Sequence, residues 1–232
     1  MINTLLKIFA PLLCCLLLGF SAPVKADSSA LLITHGPRNR PRIALTFDLC
    51  QTPKHPSGFD RGVIKVLQQT ATPATFFVGG DWLRTHSQEA AELKNPLFVL
   101  GNHSWDHPDL RKLDDAAIRT EIERTESLLQ QHFGPSPQLF RLPFGYFDAR
   151  VLQAISTTGV RTIQWDVVSG DPDRNFSAAQ LVKTVTKAAR NGSIVVMHAN
   201  GRGWQTAKAL PEIIRTLRSR GFKLVSVTTL LN

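Results

Sequence analysis

The chain has 232 residues, enough for one domain with a sizeable core. Its 27 basic and 18 acidic residues leave a formal charge of +9, but the basic residues are scattered. The densest groups, "RNRPR" (38–42) and "RTLRSR" (215–220), are not interleaved with aromatics, which favours a solvated basic face over a nucleic-acid site.

The N-terminus opens on a short cationic stretch, "MINTLLK", then an apolar run of 15 residues, "IFAPLLCCLLLGFSA", then "VKA". Val24 and Ala26 occupy the small-residue positions of a cleavage site, so residues 1–26 are expected to be a secretory signal peptide cut after Ala26. The run falls short of the roughly 20 residues that span a bilayer. No small residues directly precede Cys14 and Cys15, so a lipid-anchored cysteine is not expected. The implied protein is periplasmic or secreted, monomeric, and without an integral membrane span once cleaved. Cleavage removes Lys7 and Lys25 and no acid, taking +9 to +7 and leaving Cys50 as the one cysteine. That excludes an internal disulfide, so stability must come from the core, and the lone thiol is expected to be buried.

Residues 27–39 have linker composition, and the domain is expected over 40–232. There, short apolar runs alternate with helical patterns. The strand candidates are "RIALTFD" (42–48), "ATFFV" (74–78), "LFVLG" (97–101), "QLFRL" (138–142), "RTIQWD" (161–166), "SIVVMH" (193–198) and "FKLVSV" (222–227). Helices are expected near 60–71, 81–94, 114–133, 147–158, 177–191 and 205–220. In the clearest of them, Asp114 or Asp115 can cap the start, Ile118, Ile122, Leu128 and Leu129 form an apolar stripe, and Gly134 can end it. Strand–helix alternation predicts an α/β fold, a single domain with a parallel sheet. An open doubly wound sheet and a closed barrel both fit that pattern.

In parallel α/β folds, ligand and catalytic residues gather at the carboxyl ends of strands. Several unusual residues sit there. Asp48 ends "RIALTFD", and "HSWDH" (103–107) follows "LFVLG". His103 and His107, four apart, share a side if they lie in a helical turn, and two neutral imidazoles suit Zn²⁺ or another divalent transition metal. "RLPFG" (141–145) offers Arg141 to hold a carboxylate and a stiff loop to aim a backbone N–H. His198 ends "SIVVMH"; Asp171 in "SGDPD" can orient and charge it, making a general acid. Each segment also has an ordinary explanation: surface or capping histidines, a strand-to-helix turn, a hydrogen-bonded core histidine, a turn cap.

Taken in order, "TFD" (46–48), "HSWDH", "RLPFG", "SGD" (169–171) and "VMH" (196–198) resemble the polysaccharide deacetylases, the NodB-homology group or carbohydrate esterase family 4. The resemblance covers about residues 40–231 and implies a distorted (β/α)₇ barrel. It implies hydrolysis of N-acetyl, or sometimes O-acetyl, groups on an acetylated amino-sugar polysaccharide or oligosaccharide such as peptidoglycan or a chitin-like oligomer, or on xylan. By the same resemblance, His103 and His107 hold a divalent metal, expected to be Zn²⁺. Asp48 is the base acting on the hydrolytic water, and Arg141 positions it. The Phe144 backbone N–H serves the oxyanion. His198 is the acid tuned by Asp171, and Val196 and Trp165 border the substrate.

The chain departs from the family pattern at three places. "TFDD", whose second aspartate binds the metal, is here "TFDL" with Leu49. D-x-x-D-W reads "VSGDP", with Val168 and Pro172 at its ends, so the pocket tryptophan is missing. The leucine of L-x-H is Val196. The first departure motivates a competing reading, a carbohydrate-binding protein that kept the barrel and lost the metal. A deacylase of a small or lipid-linked sugar is a third. Against decay, Asp48, both histidines, Arg141, Asp171 and His198 remain.

Catalytic zinc usually has three protein ligands, so a replacement for the absent acid is expected. Asp60 in "SGFDRG" is the first candidate, carried back over the barrel mouth by the loop after the first strand; its competing role is a helix N-cap. Asp106 points away when His103 and His107 share a helical face. Cys50 would share the side of Asp48 only if the strand ran past its expected end. Failing these, Asp48 must serve as both ligand and base.

Overall fold

The computed structural model describes residues 31–55, 57–135 and 138–232. The expected signal peptide, residues 1–26, lies outside the described residues. In chain order the elements are β1 (Leu32–Ile33), β2 (Arg42–Leu49), α1 (Arg61–Gln69), β3 (Ala74–Val78), α2 (Gly80–Thr85), α3 (Ser87–Ala90), β4 (Phe98–Asn102), α4 (Asp115–Phe133), β5 (Leu139–Phe140) and α5 (Ala149–Ser156). They continue with β6 (Arg161–Ile163), β7 (Val167–Val168), α6 (Ala178–Ala188), β8 (Ile194–His198), α7 (Thr206–Ser219), β9 (Lys223–Leu224) and α8 (Val227–Leu231).

β2 is the central strand. It is buried from Ile43 to Leu49 and lies parallel between β3 and β8, as a strand covered on both faces should. Outward from β3 follow β4, β5 and β6; outward from β8 follows β7, all parallel. Only residues 164–166 join β6 to β7, so the two ends of this seven-strand run are neighbours in the chain and the sheet must curl. The result is the distorted (β/α)₇ barrel, a curled parallel sheet with helices outside.

The seam between β6 and β7 is covered by the N-terminal segment. β1 pairs with β6, the Gln164 N–H donates to the Ile33 carbonyl, and His35 bridges Ser193 ahead of β8. Asp166 stitches the other side. It accepts from the Ile194 N–H (2.9 Å), the Ser193 hydroxyl (3.1 Å) and Arg38 (2.8 Å).

Period-two alternation sorts the two faces of β2. Ile43, Leu45, Phe47 and Leu49 join the layer packed by α1, α6 and α7, which contribute residues such as Ile64, Leu181 and Ile213. Ala44 belongs to the interior with Phe77, Ile163 and Ile194, where α8 seats Val227 and Leu230. α8 therefore fills the amino end of the barrel, and the carboxyl end is left for Asp48.

Local signals explain most helix ends. Asp114 caps α4 through the Ala117 N–H and Gly134, at φ 82°, ends it; Ser177 and Gln180 form a capping box on α6. Four expectations need correction. The helix over 81–94 divides into α2, α3 and a 3₁₀ turn at Ala91–Leu93, broken where His86 leaves helical geometry and stacks on Trp82. "FKLVSV" forms a strand only at β9; Ser226 then caps α8. Part of the expected linker is β1, and Val167–Val168 form the separate strand β7.

The seam generates a prediction. Asp166→Ala leaves a backbone N–H, a hydroxyl and a guanidinium without their acceptor, so urea unfolding should show a loss of about 1–3 kcal/mol. A change within about 0.5 kcal/mol, the range of ordinary surface substitutions, would mean that Asp166 does not hold the seam.

Candidate active site

Arg141 follows β5 and is fully buried. A guanidinium in that position needs a counter-charge, and Asp48 supplies it: Arg141 Nη1 donates to Asp48 Oδ1 at 2.7 Å. The guanidinium also lies 4.0 Å from the Phe77 ring centroid and 5.4 Å from that of Trp165. Burial opposes ionisation of Asp48, but the Arg141 charge and hydrogen bond, with the charge of His198, outweigh it and hold the carboxyl below its ordinary value.

The second Asp48 oxygen, Oδ2, lies 3.6 Å from His103 Nε2. His103 Nδ1 is 2.9 Å from the Arg141 carbonyl, which only accepts. Nδ1 of the neutral ring therefore carries the proton, and the Nε2 lone pair faces Asp48. Burial above all pushes the His103 pKa down; burial and the neighbouring His103 push that of His107 down to about 3. Both rings are thus neutral, the form that ligates metal. Their centroids are 4.8 Å apart in an edge-on arrangement.

His103 and His107 converge through a loop and not through a helical turn. Ser104 and His107 adopt left-handed backbone, φ 64° and 59°, which few non-glycine residues do. The loop is pinned from below: Asn102 Oδ1 accepts the Ser104 N–H, and Glu121 of α4 accepts the N–H groups of Trp105 and Asp106. Arg124 stacks 3.5 Å above Trp105.

His198 ends β8 in register with Asp48 on the adjacent strand. Its Nδ1 donates to Asp171 Oδ1 at 2.9 Å. Asp171, 1% exposed, also accepts from the His198 N–H and the hydroxyls of Ser169 and Thr206. Burial works against the His198 imidazolium, yet the Asp171 hydrogen bond and charge, with Asp48, hold its pKa above the ordinary value.

Asp48, His103, His107, Asp171 and His198 line one cavity of about 470 Å³ with Phe144, Trp165 and Val196; Arg174, Arg202 and Trp204 also line it, and Arg141 is not among the lining residues. Phe144 stacks edge-on against His107, 4.3 Å between centroids, and its φ of 57° turns the "RLPFG" loop inward. Trp204, 44% exposed and topped by Arg174 at 4.1 Å, brings an indole to the cavity although position 172 is proline. It was not singled out in the sequence; its one signal is the short loop "ANGRGW" after His198. A larger groove of about 850 Å³, lined by residues including Leu93, Phe98 and Phe133, holds none of the predicted site residues.

Asp60 is corrected. It is the N-cap of α1, its Oδ1 accepting the Gly62 and Val63 N–H groups at 2.9 and 3.3 Å, and it is not among the cavity-lining residues. The group that does meet the histidines is Cys50. Its Sγ and one nitrogen each of His103 and His107 lie within 4.8 Å of one another. Pairing of β2 continues through Leu49 opposite Val78, so Cys50 falls two residues past Asp48 and on its side. Two imidazoles and a sulfur are a donor set that fits Zn²⁺.

A family model described as polysaccharide deacetylase matches residues 35–163. The peptidoglycan-N-acetylglucosamine deacetylase PgdA of Listeria monocytogenes is 33% identical over 190 residues, covering 82% of this chain and 38% of that protein. A crystal structure of a peptidoglycan N-acetylglucosamine deacetylase superposes with a TM-score of 0.79 at 26% identity, covering 87% of this chain and 92% of that one. A Bacillus anthracis protein described as a CE4 family pseudoenzyme superposes with a TM-score of 0.78 at 25% identity, over 87% of this chain and 69% of that one. The chain spans 52% of the length of another curated relative and 26% of a further one.

The placement of Asp60 predicts a separation of effects. Asp60→Ala should lower stability by about 0.5–2 kcal/mol, the cost of losing an N-cap, and leave metal content by atomic absorption unchanged. Loss of bound metal from a folded variant would return Asp60 to the site.

Proposed function

The chain belongs to the polysaccharide deacetylase family, and from that premise we propose that it hydrolyses N-acetyl groups, with O-acetyl groups a second option, on an exported amino-sugar polysaccharide such as peptidoglycan or a chitin-like oligomer. The observation that carries this reading is the pair of opposed environments in one cavity. A carboxyl held below its ordinary value by Arg141 and an imidazole held above its ordinary value by Asp171 stand on adjacent strands, beside two neutral imidazoles. Splitting an acetamide needs a base that is ionised and an acid that is protonated at one pH, and such a split of environments provides both.

An acetamide is a poor electrophile and water a poor nucleophile. When bound at His103 and His107, a divalent metal, Zn²⁺ by the donor chemistry, supplies Lewis acidity to the water and to the acetyl carbonyl. Asp48, with Oδ1 held by Arg141, takes a proton from water through Oδ2. His198 keeps Nδ1 on Asp171 and delivers its Nε2 proton to the leaving amine nitrogen. Acetate and the free amine are the products. The Phe144 backbone N–H stabilises the oxyanion, and Val196 and Trp165 border the acetyl group. Export rests on the signal-like residues 1–26; among the described residues no helix is long and apolar enough to cross a membrane.

Leu49, together with the structural likeness to a pseudoenzyme, motivates the second reading, a carbohydrate-binding protein without turnover. Acetate release from acetylated chito-oligomers and peptidoglycan, in the presence of added Zn²⁺, separates the two. Asp48→Asn and His198→Ala should each lower kcat/KM by about 10²–10⁴ while the fold, by circular dichroism, is kept. Saccharide binding without acetate release in the unaltered chain would establish the second reading.

The pH profile offers an independent check. The His198 acid is present below its raised pKa and lost as pH rises through it, so it sets the basic limb. Asp171→Asn removes a negative charge that favours the imidazolium and should move that limb to lower pH. An unmoved limb would sever Asp171 from the acid.

A further inference from the structure

We propose that Cys50 is a thiolate ligand of the metal, completing a Cys–His–His set with His103 and His107 in place of the carboxylate that Leu49 does not provide. The inference rests on the metal-dependent reading above and deepens it. Leu49 is fully buried in the layer facing the helices, so it offers no donor and no room for one there. Cys50 is on the opposite side, 8% exposed, at the cavity wall.

Three features aim the sulfur. Cys50 Sγ and the two imidazole nitrogens already cluster within 4.8 Å. A tetrahedral zinc with Zn–S about 2.3 Å and Zn–N about 2.0–2.1 Å brings such donors to roughly 3.5 Å, a contraction of rotamer scale. The backbone around Cys50 is fixed: its carbonyl accepts from Asn200 Nδ2 at 2.8 Å and from the Ser57 hydroxyl at 2.7 Å. The same Asn200 amide stands 3.6 Å from Sγ as a donor, which is the kind of contact that steadies a sulfur ligand.

The assignment also resolves the double duty otherwise placed on Asp48. Three protein ligands and an open position are the usual pattern of catalytic zinc, so Asp48, tied by one oxygen to Arg141, stays free as the base. On binding, the S–H bond breaks, its electron pair forms the sulfur–metal bond, and the proton leaves to solvent. A sulfur-containing set selects borderline metals, Zn²⁺ and Co²⁺, over Mg²⁺ and Mn²⁺, which prefer oxygen donors.

The test uses the full chain with Cys14 and Cys15 replaced by serine, so that Cys50 is the one thiol. Loaded with Co²⁺, it should show the near-ultraviolet sulfur-to-cobalt charge-transfer band. Cys50→Ser should lose the band and at least about tenfold in Zn²⁺ affinity, the lower end of what removing even an outer partner of a ligand costs. Cys50→Asp should regain affinity without the band. If Cys50→Ser does not fold, zinc titration of the parent chain in weakly buffered indicator decides instead: about one proton should leave per Zn²⁺ bound. One bound Co²⁺ with no charge-transfer band, or zinc binding without proton release, would overturn the thiolate ligand and leave the metal reading intact. Failure to bind either metal would overturn both.

Discussion

The buried ion pair between Asp48 and Arg141 is the constraint around which the rest of the site is arranged. Burying a guanidinium costs of the order of several kcal/mol unless it is paired and hydrogen-bonded. The fold meets that cost with one carboxylate oxygen, the face of Phe77 and the carbonyls of Ile163 and Gln164 within reach. Arg141 acts twice. Its side chain fixes Asp48, and its own carbonyl fixes the tautomer of His103. A single residue on the loop after β5 thereby sets both the orientation of the base and the lone pair offered to a metal. Movement of that loop would disturb the two together, which is why a stiff segment, with Pro143 just after, suits this position.

The acid side repeats the design with the charges reversed. Here the buried carboxylate, Asp171, is the fixed member, held by two hydroxyls and a backbone N–H, and the imidazole is the one that faces the cavity. The parallel register of Asp48 and His198 sets the spacing between base and acid at about one strand separation, roughly 4.8 Å between backbones. Sheet hydrogen bonding, rather than any side-chain contact, maintains this distance. The Ala199 N–H donates to the Asp48 carbonyl at 3.1 Å, extending the ladder past both residues.

Legibility of the fold followed burial. β2, β3 and β8 are apolar runs covered on both faces, and their short length, β-branched and aromatic content and flanking turn residues mark them as strands. β1 and β7 are two residues each, too short for any period to register. α8 was hidden because "FKLVSV" is a short apolar run with the aromatic and β-branched residues of a strand, while Ser226 redirects the chain through a cap that only the folded context selects. In the site, residue types and strand-end positions were readable; conformations were not. Left-handed backbone at Ser104 and His107 has no sequence signal, since neither is glycine, so the way the loop brings the two imidazoles together was not readable. Asp60 before a helix admitted two descriptions, metal ligand and N-cap, and its hydrogen bonds to the Gly62 and Val63 N–H groups make it the cap.

Cys50 shows how one residue of strand length changes the chemistry available to a site. A donor at position 49 would need the chain to leave extended geometry by Asp48, turning the next side chain inward. Here pairing persists through Leu49, and the Gly79 N–H adds a further bond to the Leu49 carbonyl at 2.8 Å. The approach of β3's continuation is close enough that a Cβ on Gly79 would stand 3.4 Å from Cys50 Cα. With the strand so extended, alternation sends 49 into the helix-side core, where leucine is the appropriate residue, and sends 50 to the interior beside the histidines. Hydrophobic packing at 49 and a sulfur at 50 are therefore two consequences of one backbone choice. The same choice leaves the carboxylate at 48 in the grip of Arg141, with one oxygen turned to the cavity.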